Sequence, residues 1–500
     1  MCAAAALVDA AGARAADEIH WTVTGPTSLS FDWRGNDTAI RYGLTARYDR
    51  SVTAAAPAPV PTSSAGPFWE ARLTGLLPDT LYHYAIGAGT DHTFRTARRR
   101  GTSAFVVMAE GDVGTVSYYP RVGVVQQMVA DQRPAFTLMV GDLTYANDHG
   151  QAQVDNHFND VMVWSQDAAY MPAWGNHEWD SSGDDLRNYK GRLDLPNPQT
   201  SPGTPAISNY GEDWYWFDYG NVRFIAYPEP WSGAWADWYT KAKTLMDQAQ
   251  SDPTITFIVT MGHRPAYSSG HHPGDSTLRG YMDDLGKNHS KYKLNVNGHS
   301  HDYERTYPQS GVIHITAGIG GSSLEEDPSG SCLWAGGCPA PAYSAFRAFH
   351  HGIVRLTFGL RAIQIDALCG PAGDGGTNLN DISCTQGGVF DHVTIRSDIA
   401  ASRGPDGPPA AFSAALAPNP VLGGGTITFA MPRAGRASAS IQDLAGRRVR
   451  TVVEGKLAAG IHQYAFDGRS DTGARLPAGV YFYSVSTPSG MITRRFTMLR

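Results

Sequence analysis

The chain is short of cysteine, of charge and of long apolar runs. Only 5 Cys occur in 500 residues, and none has the CxxC spacing of a structural zinc site. After the first few residues no segment approaches the ~18 consecutive apolar residues of a membrane span, so none is expected. Charged residues make up 17% and the net charge is −7, which gives the whole chain no electrostatic footprint for nucleic acid. No internal repeat of the solenoid kind is present.

The few cysteines are placed in two local pairs. Cys332 and Cys338 flank one short Gly-rich loop and Cys369 and Cys384 another, with Cys2 left over. Two local disulfides in an oxidising compartment fit this arrangement, four buried thiols being the alternative. The first residues, Met1 to Val8 followed by Ala13-Arg14-Ala15, resemble the end of a secretory signal with its small-residue cleavage site. Residues 1–18 are therefore read as a residual signal, and a secreted, extracellular or periplasmic protein is expected.

What the chain does have is glycine, aromatics and alternating strands. With 55 Gly, 11% aromatic residues and 500 residues in all, it calls for two to four domains built on strands and turns. Residues 19–97 alternate apolar and polar side chains at strand spacing, in runs such as Ser28–Trp33, Trp69–Leu73 and Leu81–Ile86. From residue 102 to 396 strands alternate with helices expected over Val122–Asp131, Asn156–Trp164, Trp235–Ala249 and Thr277–Asn288. Two hairpins, Trp214–Phe217 with Val222–Tyr227 and Ile353–Phe358 with Arg361–Leu368, break that rhythm. They favour a two-sheet α/β sandwich over a single doubly wound sheet. Residues 397–418 are rich in Pro, Gly and Ala and read as a linker. Residues 419–500 are again all-β. From Pro418 onward 11 Lys+Arg face 4 Asp+Glu, so the tail carries +7 and, the total being −7, the remainder −14. The expected fold is thus multidomain, an α/β two-sheet sandwich flanked by two all-β sandwiches.

The chemistry is concentrated in five islands: Gly111-Asp112-Val113-Gly114, Gly141-Asp142-Leu143-Thr144-Tyr145, Gly175-Asn176-His177-Glu178, Met261-Gly262-His263-Arg264 and Gly298-His299-Ser300-His301. Each follows an apolar, β-rich run, and α/β sheets place their ligands at the C-terminal ends of such strands. Asp112 and Asp142 offer carboxylates, one of which could bridge two cations; Asn176 offers a carbonyl oxygen, and His263, His299 and His301 offer imidazoles. Tyr145 offers a phenol that only a strongly Lewis-acidic cation would hold deprotonated. A set rich in oxygen, with some nitrogen and no thiolate, suits Fe, Zn or Mn. Any one island alone would be a turn with a capped side chain; five in this order point to a two-metal site.

The order Asp-x-Gly, Gly-Asp-x-x-Tyr, Gly-Asn-His-Glu, a Val-x-x-x-His variant and Gly-His-x-His resembles the calcineurin-like metallophosphoesterases. Tyr145 narrows the resemblance to the purple acid phosphatases. Asp302-Tyr303-Glu304-Arg305-Thr306 after the last island agrees with it. The resemblance implies a ferric ion held by Asp112, Tyr145 and His301, a divalent Zn, Mn or Fe held by Asn176, His263 and His299, and Asp142 between the two. It further implies that His177 contacts the substrate phosphate, and that His271 or His272 belongs to a substrate-side histidine pair. The implied activity is hydrolysis of small-molecule phosphomonoesters in acid, with a phosphodiesterase or nucleotide hydrolase as the alternative and a non-catalytic surface-binding protein as the outside one. Leu76-Leu77-Pro78-Asp79-Thr80-Leu81-Tyr82 resembles the corner of a fibronectin type III sandwich. With Ala417-Pro418-Asn419-Pro420, Ile441-Gln442-Asp443-Leu444-Ala445-Gly446-Arg447, Phe466-Asp467-Gly468 and Ala478-Gly479-Val480-Tyr481, residues 419–500 resemble a bacterial FlgD-type Ig-like or secretion-tail domain, implying contact with a cell surface or secretion machinery.

Overall fold

The alternation near the N-terminus produces two small antiparallel sheets. In the computed structural model, which describes residues 16–179, 186–202, 210–230, 233–325, 340–372, 382–397, 412–422, 424–457 and 460–499, they are built from β1 (Asp17–Gly25), β2 (Ser28–Arg34), β3 (Ala39–Gly43), β4 (Arg50–Thr53), β5 (Phe68–Leu73), β6 (Leu81–Ile86) and β7 (His92–Arg95). Their orders are β1-β2-β5 and β4-β3-β6-β7. Trp21, Phe31, Tyr82, Tyr84 and Phe94 meet between them, with Phe31 and Tyr84 rings 4.5 Å apart. The Tyr82 hydroxyl accepts the Leu77 N–H at 3.0 Å, closing the Leu-Pro corner.

The α/β region follows as β8 (Phe105–Glu110), α1 (Arg121–Gln132), β9 (Phe136–Val140), α2 (Ala146–His149), α3 (Ala152–Asp160), α4 (Met162–Ser165), β10 (Ala169–Ala173), α5 (Arg187–Lys190), β11 (Trp216–Tyr219), β12 (Val222–Ala226), α6 (Ala234–Ser251), β13 (Phe257–Met261), α7 (Ser276–Asn288), β14 (Tyr292–Asn297), β15 (Tyr303–Thr306), β16 (Ile313–Ala317), β17 (Ser344–Ala348), β18 (Gly352–Phe358), β19 (Ala362–Cys369) and β20 (Val389–Arg396). One sheet has the order β10-β9-β8-β18-β19-β20, the other β11-β12-β13-β14-β16-β15-β17. Phe105, Phe136 and Phe358 of the first sheet pack on Phe217, Tyr219 and Phe224 of the second, at ring separations of 4.9 to 5.6 Å. β8, β9 and β10 run parallel, as do β12, β13 and β14, so the loops after them open at the same end of each sheet.

One expected helix differs. Asn156–Trp164 is replaced by α3, which starts four residues earlier, and α4, split at Val161. The polar Asp155 and His157 are buried there, His157 against the Tyr170 hydroxyl at 2.8 Å, which hides the helix's inward face from an apolar pattern.

Residues 1–399 form one compact unit and residues 400–500 a second. The second is a seven-stranded arrangement of β21 (Ser413–Leu422), β22 (Gly424–Met431), β23 (Gly435–Gln442), β24 (Arg448–Leu457), β25 (Gly460–Phe466), β26 (Gly479–Thr487) and β27 (Gly490–Leu499). Its first strand begins inside the stretch expected to be linker. Among the described residues no helix is long and apolar enough to cross a membrane. Cys369 and Cys384 are disulfide-bonded. Cys2, Cys332, Cys338 and the signal-like segment through residue 15 lie outside the described residues.

Candidate metal centre

The five islands converge. Asp112 and Asp142 each sit two residues past the end of a parallel strand, and a backbone ladder joins their loops: Asp112, Val113 and Gly114 N–H donate to the carbonyls of Gly141, Asp142 and Leu143, each at 3.0 Å. Asp112, Asp142, Tyr145 and His299 all lie in the left-handed region, with φ of 58°, 50°, 54° and 71°. For non-glycine residues this costs on the order of 1 kcal/mol or more each, so the chain holds strain where the candidate ligands emerge. The glycines before the islands allow the close approach: a Cβ on Gly175 would strike the Asp142 carboxylate, and one on Gly298 the Asp112 carboxylate.

Two sets of ligand atoms result. Asp112, Asp142 and His301 place one atom each within 4.8 Å of one another, and so do Asp142, His263 and His299. Asp142 belongs to both. The Tyr145 hydroxyl, 2.9 Å from His301 Nε2, adds to the first set, and Asn176 Oδ1, 3.2 Å from His263 Nε2, adds to the second. The seven residues singled out from the sequence as ligands are therefore brought to one place.

The groups behind the imidazoles define which nitrogen faces inward. His263 Nδ1 donates to the Val140 carbonyl at 3.0 Å and His301 Nδ1 to the Ser323 carbonyl at 2.6 Å, leaving Nε2 of each for the centre. His299 is reversed: Arg264 Nη1 donates to its Nε2 at 2.8 Å, so Nδ1 remains. Such partners orient metal-ligating histidines. Arg264 is itself held by buried Glu229 at 3.0 Å.

The donor set fits cations. Among the described residues no hydrogen-bond donor is aligned on the buried Asp112 Oδ1 and Asp142 Oδ2, which face His301 Nε2 at 3.2 Å and His263 Nε2 at 3.0 Å. With Nδ1–H of each ring committed to a carbonyl, Nε2 presents a lone pair, which a carboxylate oxygen at this distance repels unless a cation or a proton lies between them. In the metal-free chain a proton takes that place. Burial opposes a charged His263, yet the Asp142 carboxylate outweighs burial and pushes its pKa up to about 10. Burial likewise opposes a charged His301, and Asp112 pushes it up to about 9. Burial, with Asp112 and Asp142 nearby, holds the Tyr145 phenol well above its ordinary value.

Residues 105–303 match the family described as calcineurin-like phosphoesterase, and residues 419–490 match the FlgD Ig-like domain. The chain carries a calcineurin-like phosphoesterase domain. It is 24% identical over 401 residues to a protein named "Probable inactive purple acid phosphatase 1" of Arabidopsis thaliana, covering 68% of this chain and 63% of that one. It is 25% identical over 308 residues to purple acid phosphatase 23 of the same plant, covering 51% and 62%. The chain spans a little under two thirds of the length of these relatives. Among solved structures, a purple acid phosphatase from yellow lupin seeds shares the fold at a TM-score of 0.59, with 20% identity over 77% of this chain and 75% of that one.

Around these candidate ligands stand the other histidines. His177, 27% exposed, has Nδ1 at 3.0 Å from both Asn147 Oδ1 and Asp148 Oδ2, and its backbone N–H donates to Asp142 Oδ1 at 2.8 Å. The His272 ring stacks on His299 at 4.0 Å and its Nε2 lies 3.1 Å from Glu325; His271 lies edge-on to His272 at 4.6 Å. Buried Glu178 accepts the N–H groups of Asp142, Leu143 and Gly175 at 2.9, 2.7 and 2.7 Å, tying two ligand loops together. Burial first, and then the Asp142 charge, raise its pKa to about 8. Arg264, Glu178, Glu229, Asp148 and Glu325 were given no role by sequence reasoning. Arg264 sits beside His263 and Glu178 beside His177, so adjacency was an available signal for those two. A cavity of about 600 Å³ at the opposite ends of β8 and β9, lined by Arg95, Arg98, Arg133 and Trp164, contains none of these residues.

Proposed function

We propose that this chain is a binuclear metal-dependent acid phosphatase acting on phosphate monoesters. The observation that carries the reading is the pair of ligand sets sharing Asp142, with the Tyr145 hydroxyl added to one and Asn176 to the other. Asp112, Tyr145 and His301 would hold Fe(III), and Asn176, His263 and His299 a divalent Zn, Fe or Mn. When bound, two such cations clamp phosphoryl oxygens, neutralise developing charge and acidify the attacking water.

The chain's own residues do the rest. Glu178 and the backbone ladder fix the spacing of the Asp112, Asp142 and Asn176 loops. Arg264 and Glu229 fix the ring of His299. His177 stands at the mouth, held by Asn147 and Asp148, as the group that donates a proton to the departing ester oxygen. His271 and His272, backed by Glu325, stand on the side of His299 and His301 and meet the phosphate there. We further read residues 19–97 as a fibronectin type III-like module. The FlgD-like region is read as the part that takes an exported bacterial protein to its surface or secretion contact.

Metal analysis, a visible spectrum and aryl phosphate hydrolysis across pH on one sample test the reading. Iron with a second metal, a purple colour that Tyr145→Phe removes, and an acid optimum are expected. Asp142→Asn should lose metal and at least about a hundredfold in activity, since weaker, indirect perturbations of metal sites already reach that range. Full activity in Asp142→Asn would sink the two-metal assignment, and preference for a diester over a monoester would move the chain to a phosphodiesterase.

A further inference from the structure

The polar face of the N-terminal sheet is matched in charge at one end and not at the other. Around Arg34, the carboxylates of Asp17, Glu18 and Asp155 meet two guanidiniums, those of Arg34 and Arg192. Two residues back along β2 the balance fails. Asp32 stands directly across from Glu70 of β5, an arrangement in which like charges repel. Glu70 and Asp194 share one guanidinium, that of Arg72, at 3.1 and 2.7 Å. Glu212 adds a fourth carboxylate, and the lysine that bears on it, Lys190, is already paired with Asp213 at 2.9 Å. Four carboxylates are thus left with one guanidinium.

Asp32 is the deepest of the four, 2% exposed, and among the described residues neither of its carboxylate oxygens has a hydrogen-bond partner. The chain satisfies it in neither state. Ionised, Asp32 is a buried charge with no partner; protonated, its O–H finds no acceptor. Burial first, and then the charges of Glu70, Asp194 and Glu212, push Asp32 well above its ordinary value, and burial holds Asp194 up to about 6.

We infer that Asp32 is a ligand of a calcium ion at the seam between the N-terminal sheet and the phosphoesterase domain, with Glu70, Asp194 and the Ser30 hydroxyl as further oxygen donors. Ser30 shares the face of Asp32 on β2, and Asp194 is laid over that face by the Thr22 hydroxyl, which donates to its carbonyl at 2.7 Å. The imidazole across from Asp32, that of His20, has both nitrogens 2.6 Å from carbonyls, those of Glu18 and Arg192. The donors left are oxygens, which suit a hard cation, and calcium accepts them in flexible geometry. Arg72 at the rim is exposed, so the ion reaches the carboxylates by displacing one flexible side chain.

Calcium content and thermal unfolding of the full-length protein test this, in the unaltered chain and in Asp32→Asn. The unaltered chain should hold one calcium more per molecule than Asp32→Asn. Its melting temperature should climb as calcium is added, beyond any climb shown by the variant. In calcium-free buffer Asp32→Asn should melt no lower than the unaltered chain, because the substitution removes a repulsion. Asp194→Asn, nearer the surface, should weaken calcium binding at least about tenfold, the range that indirect perturbations of a metal site already reach. Calcium taken up elsewhere is common to all three proteins and cancels in the difference. Equal calcium content and equal response in the unaltered chain and both variants would overturn the site and leave Asp32 a buried protonated acid. Ester hydrolysis does not enter the comparison, so the phosphatase reading stands or falls separately.

Discussion

Strands β1 and β2 near the N-terminus are buried along nearly their whole length, whereas β22 and β23 near the C-terminus bury every second residue. Both regions are antiparallel sheets, and an antiparallel sheet ordinarily covers one face and leaves the other to water. The C-terminal sheet does so, around its own core of Ile427, Phe429, Ile441, Val485 and Phe496. The N-terminal sheet instead presses its polar face on the phosphoesterase domain, and its apolar face joins a core that runs on to Ile395. His20 stacks on Phe158 at 4.3 Å, Thr22 bonds the Asp194 carbonyl, and Arg34 reaches Asp155 of α3. A region with its own core and an outward polar face can be removed or transferred. One whose polar face is buried against its neighbour has become part of that neighbour.

The largest test of this contrast is deletion. Removing residues 1–97 should leave no soluble, active protein, because Arg192, Asp155 and Phe158 lose their partners together. Removing residues 412–500 should leave hydrolysis and thermal unfolding of the remainder unchanged. Soluble yield, circular dichroism and ester hydrolysis of the two truncations check it. An active protein lacking residues 1–97 would place the N-terminal region beside the C-terminal one as an appendage.

A point substitution asks the same question more finely. Arg192 is 2% exposed and pairs with Glu18 at 2.8 Å and with Asp155, its guanidinium lying 4.5 Å from the Phe68 ring centre. Taking one partner from a buried, charged network costs about 3–5 kcal/mol, because the charges left behind stay desolvated. Arg192→Ala should lower the urea midpoint accordingly, without altering the metal content of what remains folded.

Proton linkage at the same interface gives an intermediate effect. Burial, against the Leu195 N–H and beside Asp194, raises Glu212 from 4.5 to about 8. A carboxyl whose folded pKa is raised contributes stability that is full below about 4.5 and is lost as pH rises through about 8. Glu212→Gln keeps the shape and removes the titration. Its melting temperature should match the parent near pH 4.5 and exceed it increasingly toward pH 8. Burial holds His20 and His157 down to about 4; they act in the opposite sense, stabilising above their ordinary 6.5 and losing that contribution as pH falls. They are common to both proteins, so the difference between the two curves isolates Glu212. A difference that stays flat with pH would mean that the carboxyl is solvated.

The contrast also marks what could be read from the chain. Alternation says which residues share a face of a strand, not what covers that face. His20, Thr22, Ser30 and Asp32 therefore read as an outward polar face and are in fact buried. The convergence of the five islands was far more legible, because each island is local: a strand, a glycine and a candidate ligating side chain within a few residues. Its supports were not. Glu325 meets His272 across 53 residues and Glu229 meets Arg264 across 35, and nothing in a lone glutamate names its partner. The same blindness displaced the helix expected at Asn156–Trp164, where the inward-facing Asp155 and His157 are polar because their partners come from β2, Arg192 and β10.

The smallest effect belongs to the C-terminal sheet. Arg436 on β23 pairs with Glu454 on β24 at 3.0 Å, in a geometry as good as that of Arg192 with Glu18, yet its side chain is 80% exposed and that of Glu454 48%. Water screens such a pair, and holding two long side chains in one arrangement costs entropy that offsets the attraction. Arg436→Ala should therefore change the stability of residues 412–500 by less than about 0.5 kcal/mol. Added salt should not alter that difference measurably. A loss approaching that of Arg192→Ala would mean that this face is covered by something in solution, and the two sheets would then differ in their partners and not in whether they have one.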